Sequence, residues 1–278
     1  MPGLYGSLYI KLDGRDEFDL TARLPNVHFL NLQSTAPAIT PDWLTIAGSD
    51  GQRLKSVSFG ATTITLSLFI KATNMAEFRL IKAELQSIFY GRTLIRLRSS
   101  FSPGKVYNVL ANPVDIVPIQ NSSQSLVDLT FTNPSGMAQS LVQSDKLPDL
   151  TDDLEYSMNI PIDKELKYQY EESLFDVYNP SDVAIDPYRQ HHDLKITVKG
   201  EGNSFSLVNM TNNTAITVNT SMKQGDVFIL NGVLPYLNNS SDVDTDFGHI
   251  ELAKGENNIK ITGLNNVDVT FSFPFLYF

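Results

Sequence analysis

The sequence predicts a mainly β protein in two halves, and three observations carry that prediction. Its clearest segments alternate apolar and polar residues with period two, only one segment is helical, and charge and proline content change near the middle. Ile64, Leu66, Leu68 and Ile70 alternate with Thr63, Thr65, Ser67 and Phe69, a pattern that predicts a half-buried strand. Ile95 and Leu97 alternate with Arg96 and Arg98, and Val127, Leu129 and Phe131 with Asp128, Thr130 and Thr132. The helix is the exception. Phe78, Ile81, Leu85, Ile88 and Phe89 recur at three- and four-residue steps. Asn74 stands where a cap accepts from free amides, Glu77 completes a capping-box pattern and Gly91 supplies the stop. Such a helix predicts a sheet covered on one face.

Between Asn133 and Pro180 the texture changes to proline and acid: Asp145, Asp149, Asp152, Asp153, Glu155, Asp163, Glu165, Glu171, Glu172 and Asp176. That density predicts a surface linker, and a domain boundary is expected near residue 145. Within it, the short run from Leu166 to Tyr170 is a candidate strand crossing between domains. Beyond it, strand candidates recur at the spacing of a β-sandwich: 174–178, 194–198, 205–210, 215–218, 227–230, 249–252, 258–261 and 267–273. About eight strands and no helix are expected there.

The chain has 278 residues, 42% of them hydrophobic, long enough for one large or two ordinary domains. It has no cysteine, which excludes disulfides, thiolate metal sites and a cysteine nucleophile. The net charge of −10 is unevenly spread. Through residue 133, 12 Lys and Arg accompany 10 Asp and Glu; from 134 on, 9 accompany 21, so the halves carry +2 and −12. This balance argues against sequence-specific nucleic-acid binding. Met1 to Tyr5 lacks a signal-peptide pattern and no apolar run spans a membrane, so the chain is read as soluble, made in a cytoplasm and without a membrane partner.

No motif demands chemistry. His191-His192 lacks a spacing that supplies two metal ligands from one element and reads as a surface loop. Asp242, Asp244 and Asp246 suggest calcium, but Phe247 and Ala253 occupy positions where an EF-hand needs glycine and glutamate, so a solvated acidic loop is expected. No nucleophile elbow or phosphate loop occurs. The sequons at Asn121, Asn209, Asn212, Asn219, Asn238 and Asn239 read as a polar β surface. Sugar binding needs an exposed aromatic ring. Trp43 lies in the amino half, and Tyr156, Tyr168, Tyr170, Tyr188 and Tyr236 are the candidate platforms of the carboxyl half.

The order of segments resembles a known family. Gly48 to Ala72 (GSDGQRLKSVSFGATTITLSLFIKA), the capped helix from Asn74 to Phe89 and the strand pair around Ser102 to Ile119 (SPGKVYNVLANPVDIVPI) are similar to the amino-terminal domain of siphophage distal tail proteins, often called Dit. In the carboxyl half, VYNPSDVAIDP from Val177, GDVFILNG from Gly225, HIELAKGENNIKITG from His249 and the terminal FSFPFLYF agree. Pro180-Ser181 departs from the glycine-containing turn that relatives often have.

The resemblance implies an amino-terminal β-sandwich with one α-helix and a β-hairpin over 1–145, a tail-tube-like domain that builds a ring. It implies a galectin-like or carbohydrate-module-like sandwich over 146–278, beginning with the acidic linker and pointing outward. Such proteins form a homo-hexamer at the tip of a non-contractile tail. They join the major tail (tube) protein to the tail-associated lysin or baseplate hub protein, let DNA pass and often hold a receptor-binding protein. The chain is then a structural component of the virion tail tip, made in a bacterial host's cytoplasm, with no enzymatic activity, no cofactor and no metal. Arg96 and Arg98, on the polar face of their strand, are expected at subunit contacts. The other function the sequence supports is a carbohydrate-binding module that recognises host cell-wall glycan directly, and a cell-wall hydrolase ranks third.

Overall fold

The structure, a computed structural model, describes residues 6–149, 156–161 and 166–278. The chain divides into two compact units: the first runs to Gln139 and takes in the last residue, Phe278, and the second is Ser140–Tyr277. The acidic positions 152, 153, 155, 163 and 165 of the expected linker lie outside the described residues.

The amino unit begins with β1 (Leu8–Lys11), β2 (Phe18–Asp19) and a single helical turn, α1 (Leu20–Arg23), which Asp19 caps by accepting from the Thr21 amide. It continues with β3 (Val27–Ser34), the ribbon strands β4 (Ile39–Leu44) and β5 (Arg53–Phe59), and β6 (Thr62–Lys71). After α2 (Met75–Phe89) come β7 (Ile95–Ser99), β8 (Ser102–Ala111), β9 (Gln124–Asn133) and β10 (Ala138–Ser140). β6 is its backbone. Ile64, Leu66, Leu68 and Ile70 are all fully buried, and the strand is flanked by long antiparallel ladders to β3 and β9.

The main sheet runs β2-β1-β7-β8-β9-β6-β3, and an antiparallel bridge from Gly6 to Phe29 joins the β1 side to β3. The expected two layers are therefore opposite walls of one curled sheet around one core. α2 closes that core. Phe78, Ile81, Leu85, Ile88 and Phe89 are buried, with Phe89 edge-on to Phe131 at 5.3 Å. Asn74 Oδ1 accepts from the Ala76 and Glu77 amides, each at 3.0 Å. Glu77 reaches one residue further back than a capping box would, accepting from the Thr73 amide at 2.7 Å. Of the strand pair expected around 102–119, only Ser102–Ala111 is a strand. Residues 112–119 pass across the helix as irregular chain, held by Tyr90 Oη and by Lys82 Nζ, which donates to the Ile116 carbonyl at 2.9 Å.

The carboxyl unit is a sandwich. Its strands are β11 (Gln169–Tyr170), β12 (Leu174–Asn179), β13 (Lys195–Glu201), β14 (Phe205–Asn209), β15 (Thr214–Val218), β16 (Val227–Asn231), β17 (Leu234–Leu237), β18 (Gly255–Thr262), β19 (Asn265–Ser272) and the short β20 (Leu276–Tyr277). One sheet runs β11-β19-β13-β16-β17 and the other β12-β18-β14-β15. The run 166–170 yields only β11, which pairs with β19 inside this unit. The terminal FSFPFLYF is core: Phe271, Phe273, Phe275 and Tyr277 are fully buried. Ser140 and Ser144 strap it down, their amides donating to the Phe275 and Phe273 carbonyls at 2.9 Å each. At the turn that departs from the relatives, Asn179 Oδ1 accepts from the buried Ser181 amide at 3.0 Å, which closes it without glycine.

Residues 249–252 do not form the expected strand, although Ile250 and Leu252 are fully buried. One bridge, from Leu252 to Ile185, is their ladder, and buried asparagines supply the rest. Asn209 Nδ2 donates to the Glu251 carbonyl at 2.7 Å and to Asn257 Oδ1 at 2.9 Å; Asn257 Oδ1 accepts from the Ala253 amide at 2.7 Å; Asn179 Nδ2 donates to the Leu252 carbonyl at 3.2 Å. All three asparagines are fully buried, so removing one orphans several peptide groups at once. Asn257→Ala is expected to cost about 3 kcal/mol of unfolding free energy, by urea titration of the whole chain, against roughly 0.5 kcal/mol for an exposed control such as Asn203→Ala.

Candidate assembly surface

Among the described residues, the ribbon formed by β4 and β5 pairs with no other strand. Its register places Ile39 opposite Phe59, Pro41 opposite Val57 and Trp43 opposite Leu54. Directly opposed residues share a face, so these six apolar side chains line one side. Thr40 opposes Ser58 and Asp42 opposes Ser56 on the other side, where Lys55 Nζ reaches the Asp42 carboxylate at 3.1 Å. Ile39 is 66% exposed, Trp43 50% and Leu54 54%. Phe59 meets only the Phe278 ring, edge-on at 4.9 Å, among the ring contacts of the ribbon.

Sequence reasoning missed this ribbon because a bulge breaks its alternation. Leu54 and Val57 are an odd number of residues apart, and strict alternation puts them on opposite faces. Between Asp42 and Trp43 the register shifts, Lys55 is left over, and Leu54 returns to the face of Val57. At the foot of the ribbon, Gly136 takes φ +72°, and a Cβ there would lie 2.3 Å from the Gly60 carbonyl oxygen. Only glycine fits.

Arg96 and Arg98 are paired inside the chain. Both reach Glu17, Arg96 Nη2 at 2.9 Å and Arg98 Nη2 at 2.6 Å, and the Arg98 guanidinium lies 4.1 Å from the centre of the Tyr9 ring. Arg96 Nε is buried with no hydrogen-bond partner among the described residues. Burial pushes the Glu17 carboxyl up, but hydrogen bonding and charge from Arg98, then Arg96, outweigh it and hold it below the usual 4.5. The clamp ties the chain ahead of β2 to β7.

In the carboxyl unit, His191 is exposed in the left-handed region at φ 55°, whereas His192 is half-buried. His192 Nδ1 lies 3.2 Å from both the Asp186 amide and the Ala184 carbonyl, and burial lowers its pKa against the opposing pull of Ala184, Asp186 and Asp193. In the acidic loop, Asp246 Oδ1 accepts from the Thr217 and Gly248 amides, while Asp242 and Asp244 face solvent. Among the described residues no three His, Asp or Glu side chains are grouped to hold a metal ion. Tyr168 is buried, Tyr170 stacks on Phe175 at 4.2 Å, Tyr236 is half-buried and Tyr188 is exposed; the Tyr156 side chain lies outside the described residues. No helix among the described residues is long and apolar enough to cross a membrane.

Residues 19–133, covering nearly all of the curled sheet and the whole ribbon, match the family model of the phage tail protein RIFT-related domain. This stretch is similar to that phage tail family. The fold is shared along the whole chain with the Dit protein of phage SPP1, whose crystal structure is described as a paradigm of the hub adsorption apparatus in phages infecting Gram-positive bacteria. The two align with a TM-score of 0.65 over 97% of this chain and 99% of that one, at 13% identity. Together these findings bear out the resemblance to siphophage distal tail proteins. A chain of the phage p2 baseplate in its activated conformation with strontium aligns over 97% of each chain at 11% identity, with a TM-score of 0.42. No curated protein is matched by the sequence.

The Glu17 clamp has a pH signature. A carboxyl held below its unfolded pKa stabilises the fold above that value and ceases to as pH falls through the folded one. The melting-temperature difference between wild type and Glu17→Gln is therefore expected to be constant above about pH 5 and to shrink as pH falls below about 4.5, by thermal unfolding from pH 7 to 3.

Proposed function

We propose that this chain is a distal tail hub: six copies close a ring that joins the tail tube to the baseplate or host-adhesion device and leaves a passage for DNA. The apolar face of the β4–β5 ribbon carries this reading. A two-stranded ribbon is marginal alone in water, and a contiguous apolar face of this kind marks a protein interface. A ring lays each ribbon against the next subunit and closes on itself, so that no ribbon stays uncovered.

The charges support the same arrangement. The amino unit carries +2 and the carboxyl unit −12, so a ring built from amino units would hold DNA only weakly, and outward carboxyl units would keep six copies apart from other assemblies. The fold shared with SPP1 Dit, itself described as part of a hub, supports placing the tail tube on one side of the ring and the baseplate hub protein or lysin on the other. A receptor-binding protein would attach through the carboxyl unit. Arg96 and Arg98 enter the proposal in reduced form: with both guanidinium groups engaged by Glu17, they would brace the sheet edge of β1 and β2 beside a joint.

Light scattering coupled to size exclusion is expected to give six times the 30.9 kDa of one chain, and negative-stain images a six-fold ring. The double variant Trp43→Ser, Leu54→Ser is expected to run as a monomer with an unchanged circular dichroism spectrum. A wild type that stays monomeric both alone and with its tail tube protein overturns the proposal.

A further inference from the structure

The irregular stretch 249–252 carries more than core residues. Ile185 and Leu252 exchange both backbone hydrogen bonds, at 2.8 and 3.0 Å, as an antiparallel pair. Continuing that register sets Asp186 opposite Glu251 and Tyr188 opposite His249. The rings confirm it: Tyr188 and His249 stack with centroids 4.7 Å apart and planes 24° from parallel. Ile185, Ile250 and Leu252 point into the core, so the stack lies on the outer face. Tyr188 is 58% exposed, with His249 behind it.

The platform is rigid on both strands. Asp186 Oδ1 accepts from the Tyr188 and Arg189 amides at 3.0 and 2.8 Å, and the His192 amide donates to the Asp186 carbonyl at 3.1 Å. Across from it, Asn209 and Asn212 both donate to the Glu251 carbonyl, at 2.7 and 2.8 Å. Around the ring stand polar groups with no hydrogen-bond partner among the described residues: the Glu251 carboxylate, the Arg189 guanidinium and the ring nitrogens of His249. They lie close enough to act on one another. Burial and the Asp186 charge raise the Glu251 carboxyl above its usual range, while Arg189 and His249 pull it down.

We propose that Tyr188, His249, Glu251 and Arg189 form a binding site for a neutral pyranose, one sugar ring of a glycan. A pyranose has a face of C–H bonds carrying slight positive charge, which stacks on the negative face of a tyrosine ring. Its neighbouring hydroxyls need an acceptor and a donor side by side, as a carboxylate and a guanidinium provide. Free groups of both signs suit an uncharged polyol, and a unit of charge −12 repels an anionic polymer. Because stack and backbone are fixed beforehand, little ordering opposes binding. One ring on an open surface gives an affinity on the order of millimolar, which six copies would strengthen by avidity. The site is complete within one chain, so it stands or falls independently of the hub reading.

Saturation-transfer NMR on the full chain tests this with the methyl pyranosides of glucose, galactose and N-acetylglucosamine at roughly 10 mM, and glycerol phosphate as the anionic comparison. Transfer is expected to the ring C–H protons of at least one pyranoside and not to glycerol phosphate. Tyr188→Ala is expected to weaken it by about ten-fold, Tyr188→Phe to retain it, and Glu251→Gln to weaken it with the stack intact. Phe247→Ala, two residues before His249 on the exposed acidic loop, is expected to leave it unchanged. No transfer from any pyranoside to wild type, or transfer undiminished in Tyr188→Ala, overturns the proposal. So does loss in Tyr188→Phe with the fold preserved, because the ring and not the hydroxyl is the platform.

Discussion

A peptide group taken out of water must keep a hydrogen-bond partner, and the two units of this chain meet that requirement in different ways. In the amino unit the ladder itself suffices. The sheet curls until the Gly6 to Phe29 bridge brings its far sides together, so the walls around the core pair with one another. In the carboxyl unit the ladder stops short at 249–254, and Asn179, Asn209 and Asn257 take its place. That substitution lets a non-strand segment lie over the core and carry exposed functional groups on its outer side.

The ribbon is where the amino unit leaves a requirement unmet. Its peptide groups are paired, but its apolar side chains are not covered. Satisfied hydrogen bonds beside uncovered apolar surface is the combination an assembling surface needs, since the element can hold its shape before its partner arrives. The Glu17 clamp and the Gly136 to Gly60 approach serve the same end by fixing the framework from which the ribbon projects. The carboxyl unit has the opposite character, with a buried core, a strong negative charge and the exposed stack of Tyr188 on His249.

How far sequence reached depended on whether a pattern was local. β6 and α2 were legible because one strand or one turn of helix contains the whole signal, and both stand where periodicity puts them. The ribbon was hidden by a single bulged residue, and β17 by its brevity and by Pro235. Residues 249–252 have the alternation of a strand but lack neighbours for one, since asparagines distant in sequence occupy their hydrogen bonds. Arg96 and Arg98 read as residues for subunit contacts because Glu17, their partner within the chain, lies far away in sequence.

By itself, then, the sequence determined the β class, the one helix and its cap, the uneven charge and the family resemblance, all of which rest on residue types within short windows or on their order along the chain. Only the tertiary structure decided that six apolar side chains share one face of a ribbon, that two arginines answer one glutamate, and that Tyr188 lies on His249. Each of these depends on register between segments, and register is fixed by backbone pairing and bulges that no single stretch of residues contains.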